Sequence, residues 1–265
     1  MICKRMSADS FRYVESLDDI DISPVTTPVK YHLVWFGRPL DQHVLCLSSL
    51  FATQADPDVT LWTTDEWIEP LRAHLTPLFK DRAFKVEVFR SVHEGVLYPK
   101  EPIDKFWTCD DWRLDILYTY GGIYADLDNL FLKDISWISR YPAMSQWGSD
   151  PRCNSSIASF TAGHPELRKL IDIMASIPNR KGWGRAVPNF EWSMNISLYC
   201  FSGKFFDSGW EHNGIGTDSF FDGMPTETET FRNSFVYHWH NKWDRDVRNP
   251  NTLVGQYWKK FTQSS

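Results

Sequence analysis

A layered α/β fold is the expectation for this chain of 265 residues, and three observations carry it. Short runs rich in β-branched and aromatic residues alternate with longer helix-period segments along the first half, the order of an α/β sheet with helices on its faces. The strongest helical segment ends at a double glycine and leads straight into another apolar run. A composition of 42% hydrophobic and 23% charged residues supplies one sizeable core.

Residues 1–27 read as a polar lead-in that closes with SPVTTP. KYHLVWFG (30–37) is a strand stopped by glycine, followed by a loop and helix over 38–51 and a second strand, DVTLWTT (58–64). A helix over 65–79 requires Pro70 to lie in its first turn, where no backbone N–H is needed. FKVEVFR (84–90) alternates as a third strand. Over 105–122, Asp110, Arg113 and Leu117 fall near one helix face, with Leu114, Leu117 and Tyr118 on an adjoining one. Gly121 and Gly122 supply the positive φ that ends such a helix. IYADLDNLFL (123–132) resumes as strand and loop. In the second half, AMSQW (143–147) and SSIASF (155–160) predict strands and 164–177 a helix, while 178–230, rich in Gly, Asn and Trp, has no assigned pattern. With no repeat and no low-complexity tract, residues 28–265 are expected to form a single domain.

Composition narrows the function classes. A formal charge of −6 and the lack of a basic stripe argue against nucleic acid as the main partner. Cys3, Cys46, Cys109, Cys153 and Cys200 are scattered and form no CxxC pair, which suits free thiols in a reducing compartment. The N-terminal residues hold no continuous apolar run, so neither a secretory signal nor a membrane anchor is expected, and the expectation is a soluble cytoplasmic protein. The Asn154-Ser155-Ser156 and Asn195-Ile196-Ser197 acceptor patterns are then coincidental. Thirteen tryptophans fill core first and offer stacking faces for sugars or bases second.

Asp126 and Asp128 stand where the fourth strand runs out, and ligands in open α/β sheets bind beyond the carboxyl ends of strands. Residues i and i+2 of an extended segment point the same way, roughly 6.5–7 Å apart. Two carboxylates so placed repel unless something positive lies between them, and they suit a hard divalent cation together with a phosphate. A solvated acidic turn at Asn129 would show the same three residues.

The wider context decides between these. DDWRLDILYTYGGIYADLDNLFLK (110–133) resembles the DxD-containing sugar-binding region of glycosyltransferases, the group of the fungal initiating α-mannosyltransferases and the vertebrate α-1,4-galactosyl- and α-1,4-N-acetylglucosaminyltransferases. Their pattern is roughly S-D-x-x-R-x-x-x-L-x-x-x-G-G-x-Y-x-D-x-D. Asp110, Arg113, Leu117, Gly121, Gly122, Tyr124, Asp126 and Asp128 match it in register, with Cys109 at the serine. PVKYHLVW (28–35) is similar to the family's first strand, CNSSIASFTAGHP (153–165) to its asparagine and G-H-P stretch, and HWHNKW (238–243) to its H-W-x-x-S-W segment, with Lys242 at the serine.

The resemblance implies a GT-A-like, Rossmann-type nucleotide-sugar-binding fold. It further implies a metal-dependent retaining transfer of a hexose from a nucleotide-diphosphate sugar (a UDP-sugar before GDP-mannose) to a glycan, protein or other hydroxyl acceptor. Carried over, Asp128 binds Mn²⁺ or Mg²⁺ at the donor diphosphate. Asp126 contacts the ribose or donor sugar and supports the ion, and His238 is the third metal or phosphate contact. Asp110 accepts from donor hydroxyls and Arg113 lies near the diphosphate or sugar. Trp35 stacks on the base and Asn154 bounds the donor. Two other readings use fewer of these residues. A haloacid-dehalogenase-type phosphatase needs Thr where Leu130 stands, with Asp218 and Asp222 as its further acids. A sugar-binding module without turnover leaves the intact D-x-D unexplained.

Overall fold

The computed structural model describes residues 12–90, 105–146, 153–176, 196–210, 216–223 and 226–263. Cys3, Trp147, Ile177 and residues 178–195 of the stretch without a pattern lie outside them. The elements run β1 (Arg12–Val14), β2 (Val29–Val34), α1 (Asp41–Thr53), β3 (Pro57–Thr63), α2 (Ile68–Leu75), β4 (Phe84–Val88), α3 (Lys105–Tyr120), β5 (Gly122–Ala125) and β6 (Asn129–Phe131). They continue with β7 (Ala143–Gln146), β8 (Cys153–Phe160), α4 (Pro165–Ser176), β9 (Tyr199–Phe201), α5 (Gly203–Phe206), α6 (Thr217–Asp222), α7 (Glu229–Asn233), β10 (Val236–His238) and α8 (Leu253–Thr262).

Each expected strand of the first half forms within a few residues of its predicted place. Pro70 is the third residue of α2, inside the first turn as its missing N–H demands. In the first half one element was not expected: Arg12–Val14, from the polar lead-in, adds an edge strand parallel to β9 and buries Val14.

Among the described residues the main sheet has eight strands in the order β1-β9-β7-β8-β5-β2-β3-β4. Five neighbouring pairs are parallel, and β8 runs antiparallel to both β5 and β7. Side chains alternate across this sheet as strand geometry requires. Tyr31, Leu33, Val59, Leu61, Ile123 and Ala125 enter the core packed on α1 and α8. Val34, Trp62 and Tyr124 enter a second core with Leu114 and Leu117 of α3 and Leu167 and Leu170 of α4. A sheet covered on both faces explains why β3 is buried without interruption from Val59 to Thr63.

The chain winds outward from β2 through β3 to β4, then returns through α3 to place β5 on the other side of β2. That reversal opens a crevice beyond the carboxyl ends of β2 and β5, the place where this class of sheet accepts ligands. β6 and β10 form a separate two-stranded antiparallel ribbon, pairing His238 with Asn129.

Candidate active site

The turn that feeds the crevice is built around two glycines. Gly121 has φ +63° and Gly122 φ +106°, values in the left-handed region that L side chains avoid. A Cβ at Gly122 would lie 2.6 Å from the Lys30 carbonyl oxygen, and one at Gly121 2.6 Å from the Ala162 amide nitrogen. Buried His32 ties this turn to β2. The Trp62 indole N–H donates to its Nδ1 (3.1 Å), so its Nε2–H donates to the Gly121 carbonyl (2.9 Å). Burial holds His32 neutral, with its pKa lowered to about 4.

Helix α3 and strand β5 bring Asp110, Arg113 and Asp126 together. The Arg113 guanidinium lies 2.6 Å from Asp110 and 3.3 Å from Asp126, donates to the Ser155 hydroxyl (2.9 Å), and rests over the Tyr124 ring at 4.9 Å. Its side chain is only 9% exposed, so it acts as a clamp from within the protein. Asp126 also accepts the Tyr124 hydroxyl (2.8 Å), and its own N–H donates to the Ser156 carbonyl (2.9 Å). Burial raises the Asp126 carboxyl; Arg113 opposes this and the charge of Asp128 adds to it.

Asp128, two residues on, meets a different set of partners. One carboxylate oxygen is 3.1 Å from His238 Nε2, and the other accepts the Asn241 N–H at 2.7 Å. The antiparallel pairing of β10 with β6 sets His238 beside it. His240 (φ +52°) and Asn241 (φ +59°) then curl the chain back so that the Asn241 amide points at the carboxylate. Burial works against ionisation of Asp128, but His238 and the Asn241 N–H outweigh it and hold the pKa at about 2. Burial likewise disfavours a charged His238, and Asp128 and Asp207 outweigh it, raising that imidazole well above its usual range.

The donor set fits a divalent cation. One ligand atom from each of Asp126, Asp128 and His238 can be chosen so that all lie within 4.8 Å of one another. Both ring nitrogens of His238 are buried and neither makes a well-directed hydrogen bond, although carboxylates stand 3.1 and 3.6 Å away. Two carboxylates and an imidazole suit Mn²⁺, and with fewer nitrogen ligands Mg²⁺.

The other expected site residues fall as follows. Trp35, just past β2, packs on His43 (4.4 Å between centroids) and Trp243 (4.7 Å) and donates its indole N–H to the Arg38 carbonyl. Asn154 lies in strand β8, not in a turn, and its side chain accepts the Ser156 N–H at 2.9 Å. Asp218 and Asp222 are exposed and both pair with Arg245, at 2.8 and 2.6 Å; neither joins the aspartate pair in a cluster among the described residues. Ser155, Asn241 and Asp207 were not anticipated. Ser155 and Asn241 lie within matched segments, whereas Asp207 falls in the stretch without a pattern.

Comparison with known proteins agrees with this geometry. Residues 41–152 match the glycosyltransferase sugar-binding region containing the DXD motif. That span holds α1 through Asp128 and so includes both aspartates and the Arg113 clamp. No curated protein sequence matches the chain significantly. Among solved structures, the apo form of the glycosyltransferase GlyE from Streptococcus pneumoniae TIGR4 superposes with a TM-score of 0.53 at 13% identity, over 90% of this chain and 61% of that one. The bifunctional glycosyltransferase WbbM in its apo form gives 0.50 at 11% identity, over 92% and 54%. The galactosyltransferase LgtC with donor and acceptor sugar analogues gives 0.49 at 10% identity, over 89% and 95%. The chain therefore spans about three fifths of GlyE and just over half of WbbM. The sheet order and the likeness to GlyE and WbbM together make the fold a GT-A-like α/β fold. Among the described residues no helix is long and apolar enough to cross a membrane.

Proposed function

We propose that this protein is a metal-dependent retaining glycosyltransferase that moves a hexose from a nucleotide-diphosphate sugar to a hydroxyl of a glycan or protein. The observation that carries the reading is the convergence of Asp126, Asp128 and His238 at the carboxyl end of β5, with His238 lacking directed hydrogen bonds. In this reading Asp126, Asp128 and His238 hold Mn²⁺ or Mg²⁺, and residues 28–265 are the catalytic domain, with β1 completing the sheet edge. A cation there supplies Lewis-acid stabilisation of the charge that gathers on a leaving diphosphate.

The protein's own groups do the rest. Arg113 neutralises Asp110 and Asp126 from inside, which keeps the partly exposed edge of Asp110 free to accept from donor hydroxyls. The His32–Gly121 bond holds the turn that aims Asp126, and the Asn241 N–H fixes the rotation of Asp128. Trp35, with Trp243 against it, offers an aromatic face at the mouth of the crevice for a nucleotide base, and Asn154 bounds the donor side through β8. The retaining outcome and the preference for a UDP-sugar over GDP-mannose rest on the family resemblance alone.

The test is release of nucleoside diphosphate from a panel of UDP- and GDP-sugars, with Mn²⁺ and then with a chelator. Metal-dependent release from one donor supports the reading and names the sugar. Absence of both release and metal-dependent donor binding would refute it.

A further inference from the structure

We propose that Asp207 is a positioning residue that orients His238 toward the ion, an assignment that rests on the metal-dependent reading above. Asp207 follows α5, is wholly buried, and presents Oδ1 at 3.6 Å from His238 Nδ1. The opposite ring nitrogen of His238, Nε2, stands 3.1 Å from Asp128. The imidazole thus lies between two carboxylates, one beside each nitrogen. A histidine that ligates through Nε2 keeps its proton on Nδ1, and a buried acceptor at Nδ1 selects that tautomer and holds the ring plane. Asp207 is the carboxylate on that side.

The same Oδ1 takes the Nε2 of His240 at 2.6 Å. That bond anchors the left-handed turn at His240 and Asn241, in which the Asn241 N–H donates to Asp128. One buried carboxylate therefore steadies two separate contacts to Asp128, the imidazole from one side and the Asn241 N–H from the other. Asp207, His238 and His240 also lie close enough to hold an ion themselves. With an ion at Asp128 as well, His238 would have to ligate through both nitrogens and lose both ring protons, which a neutral imidazole cannot do. One ion, with Asp207 behind the histidine, leaves each ring nitrogen of His238 a single role.

The experiment is Mn²⁺ titration of the purified chain without donor, read by the electron paramagnetic resonance of free Mn²⁺, on wild type, Asp207→Asn and His240→Ala. Asp207→Asn preserves shape and removes the charge. It is expected to weaken Mn²⁺ binding by about 10–100-fold, the usual loss when a ligating histidine is deprived of its supporting acceptor. It should also diminish the ¹⁴N modulation that a ligating imidazole imparts to the spin-echo signal of the bound ion. Folding of each variant is checked by its circular dichroism. Asp207→Asn binding Mn²⁺ within about twofold of wild type, well short of that loss, would overturn the role of Asp207 while leaving the metal site standing. Two ions per wild-type chain, one of them lost in His240→Ala, would also overturn it, because Asp207 would then be a ligand. A wild type that binds no Mn²⁺ overturns this assignment and the metal reading together. Mn²⁺ binding that depends on Asp207, without turnover of any sugar donor, supports the positioning role and counts against the glycosyltransferase reading alone.

Discussion

The two aspartates of the D-x-D pair live in unlike surroundings. Asp126 belongs to a network closed within a short stretch of chain. Arg113 and the Tyr124 hydroxyl meet its carboxylate, Ser155 on β8 holds Arg113 in turn, and its charge is balanced by that buried guanidinium. Asp128 is balanced from far away in sequence, by an imidazole on β10 and a backbone amide beyond it. The first arrangement is finished by the protein's own groups. The second leaves an imidazole between carboxylates without directed bonds, which together with Asp126 makes a ligand set suited to a cation. Two like charges two residues apart are thus tolerated because each has its own partners: a guanidinium beside Asp126, an imidazole and a backbone amide beside Asp128.

Breaking the finished half should be costly to the fold itself. Arg113→Ala leaves two largely buried carboxylates without their cation and is expected to destabilise the protein by about 3–5 kcal/mol. At roughly 2–4 °C per kcal/mol for a chain of this size, thermal melting registers it as a drop of about 10 °C. A shift of only a degree or two would mean that Asp110 and Asp126 are already well solvated. Asp128→Asn, on the other half, should leave the chain folded but lower its melting temperature, since the fold holds this carboxylate at a pKa of about 2. Metal-dependent release of nucleoside diphosphate should fall by about a hundredfold or more, since several kcal/mol of transition-state stabilisation go with the ion. Full activity in this variant would separate Asp128 from the metal.

The turn that joins the halves can be probed by pH and by a methyl group. Burial lowers the His32 pKa from 6.5 to about 4, with Lys30 and Lys85 adding to this and the Gly121 carbonyl opposing. Between those values the unfolded chain binds the proton and the folded one does not, so His32 stabilises the fold above the window, and its contribution is lost as pH falls from 6.5 toward 4. The loss amounts to about 3 kcal/mol. Buried His43, lowered from 6.5 to about 3, loses its contribution over the same window, so urea unfolding on either side should show the fall in wild type and roughly half of it in His32→Gln. Equal slopes would mean that His32 is not the group responsible. The smallest effect expected is that of Gly122→Ala, which forces a Cβ against the Lys30 carbonyl at positive φ and should cost about 1–3 kcal/mol. An unchanged unfolding midpoint would show that the turn can relax.

Much of this is legible in the residues themselves. The alternation of strand and helix periods from residue 29 to 132 is a local property, dictated by which side chains can face a core, and the elements form close to where that pattern puts them. The D-x-x-R spacing marks a contact on one helix face, and the ion pair of Asp110 with Arg113 is there at 2.6 Å. The glycine pair announces positive φ, and both residues have it. Less legible is β1, because three residues paired on one edge need little apolar character of their own. His238 is marked by its segment, but its neighbours on either nitrogen are not. Asn154 is marked by its segment as bounding the donor, but strand pairing with β7 is needed to put it in β8.

By itself the sequence determined which elements form between residues 29 and 132, where the helix before the aspartates must end, and that two carboxylates would stand at the end of a strand. These follow from periodicity, glycine geometry and like-charge repulsion, all of which act over a few residues. Only the tertiary structure decided which partner each carboxylate has. The ribbon of β6 with β10 brings in His238 from more than a hundred residues away, and Asp207, carried by the stretch with no pattern, closes on its far side. Such contacts depend on register between distant strands, and no local signal encodes the register.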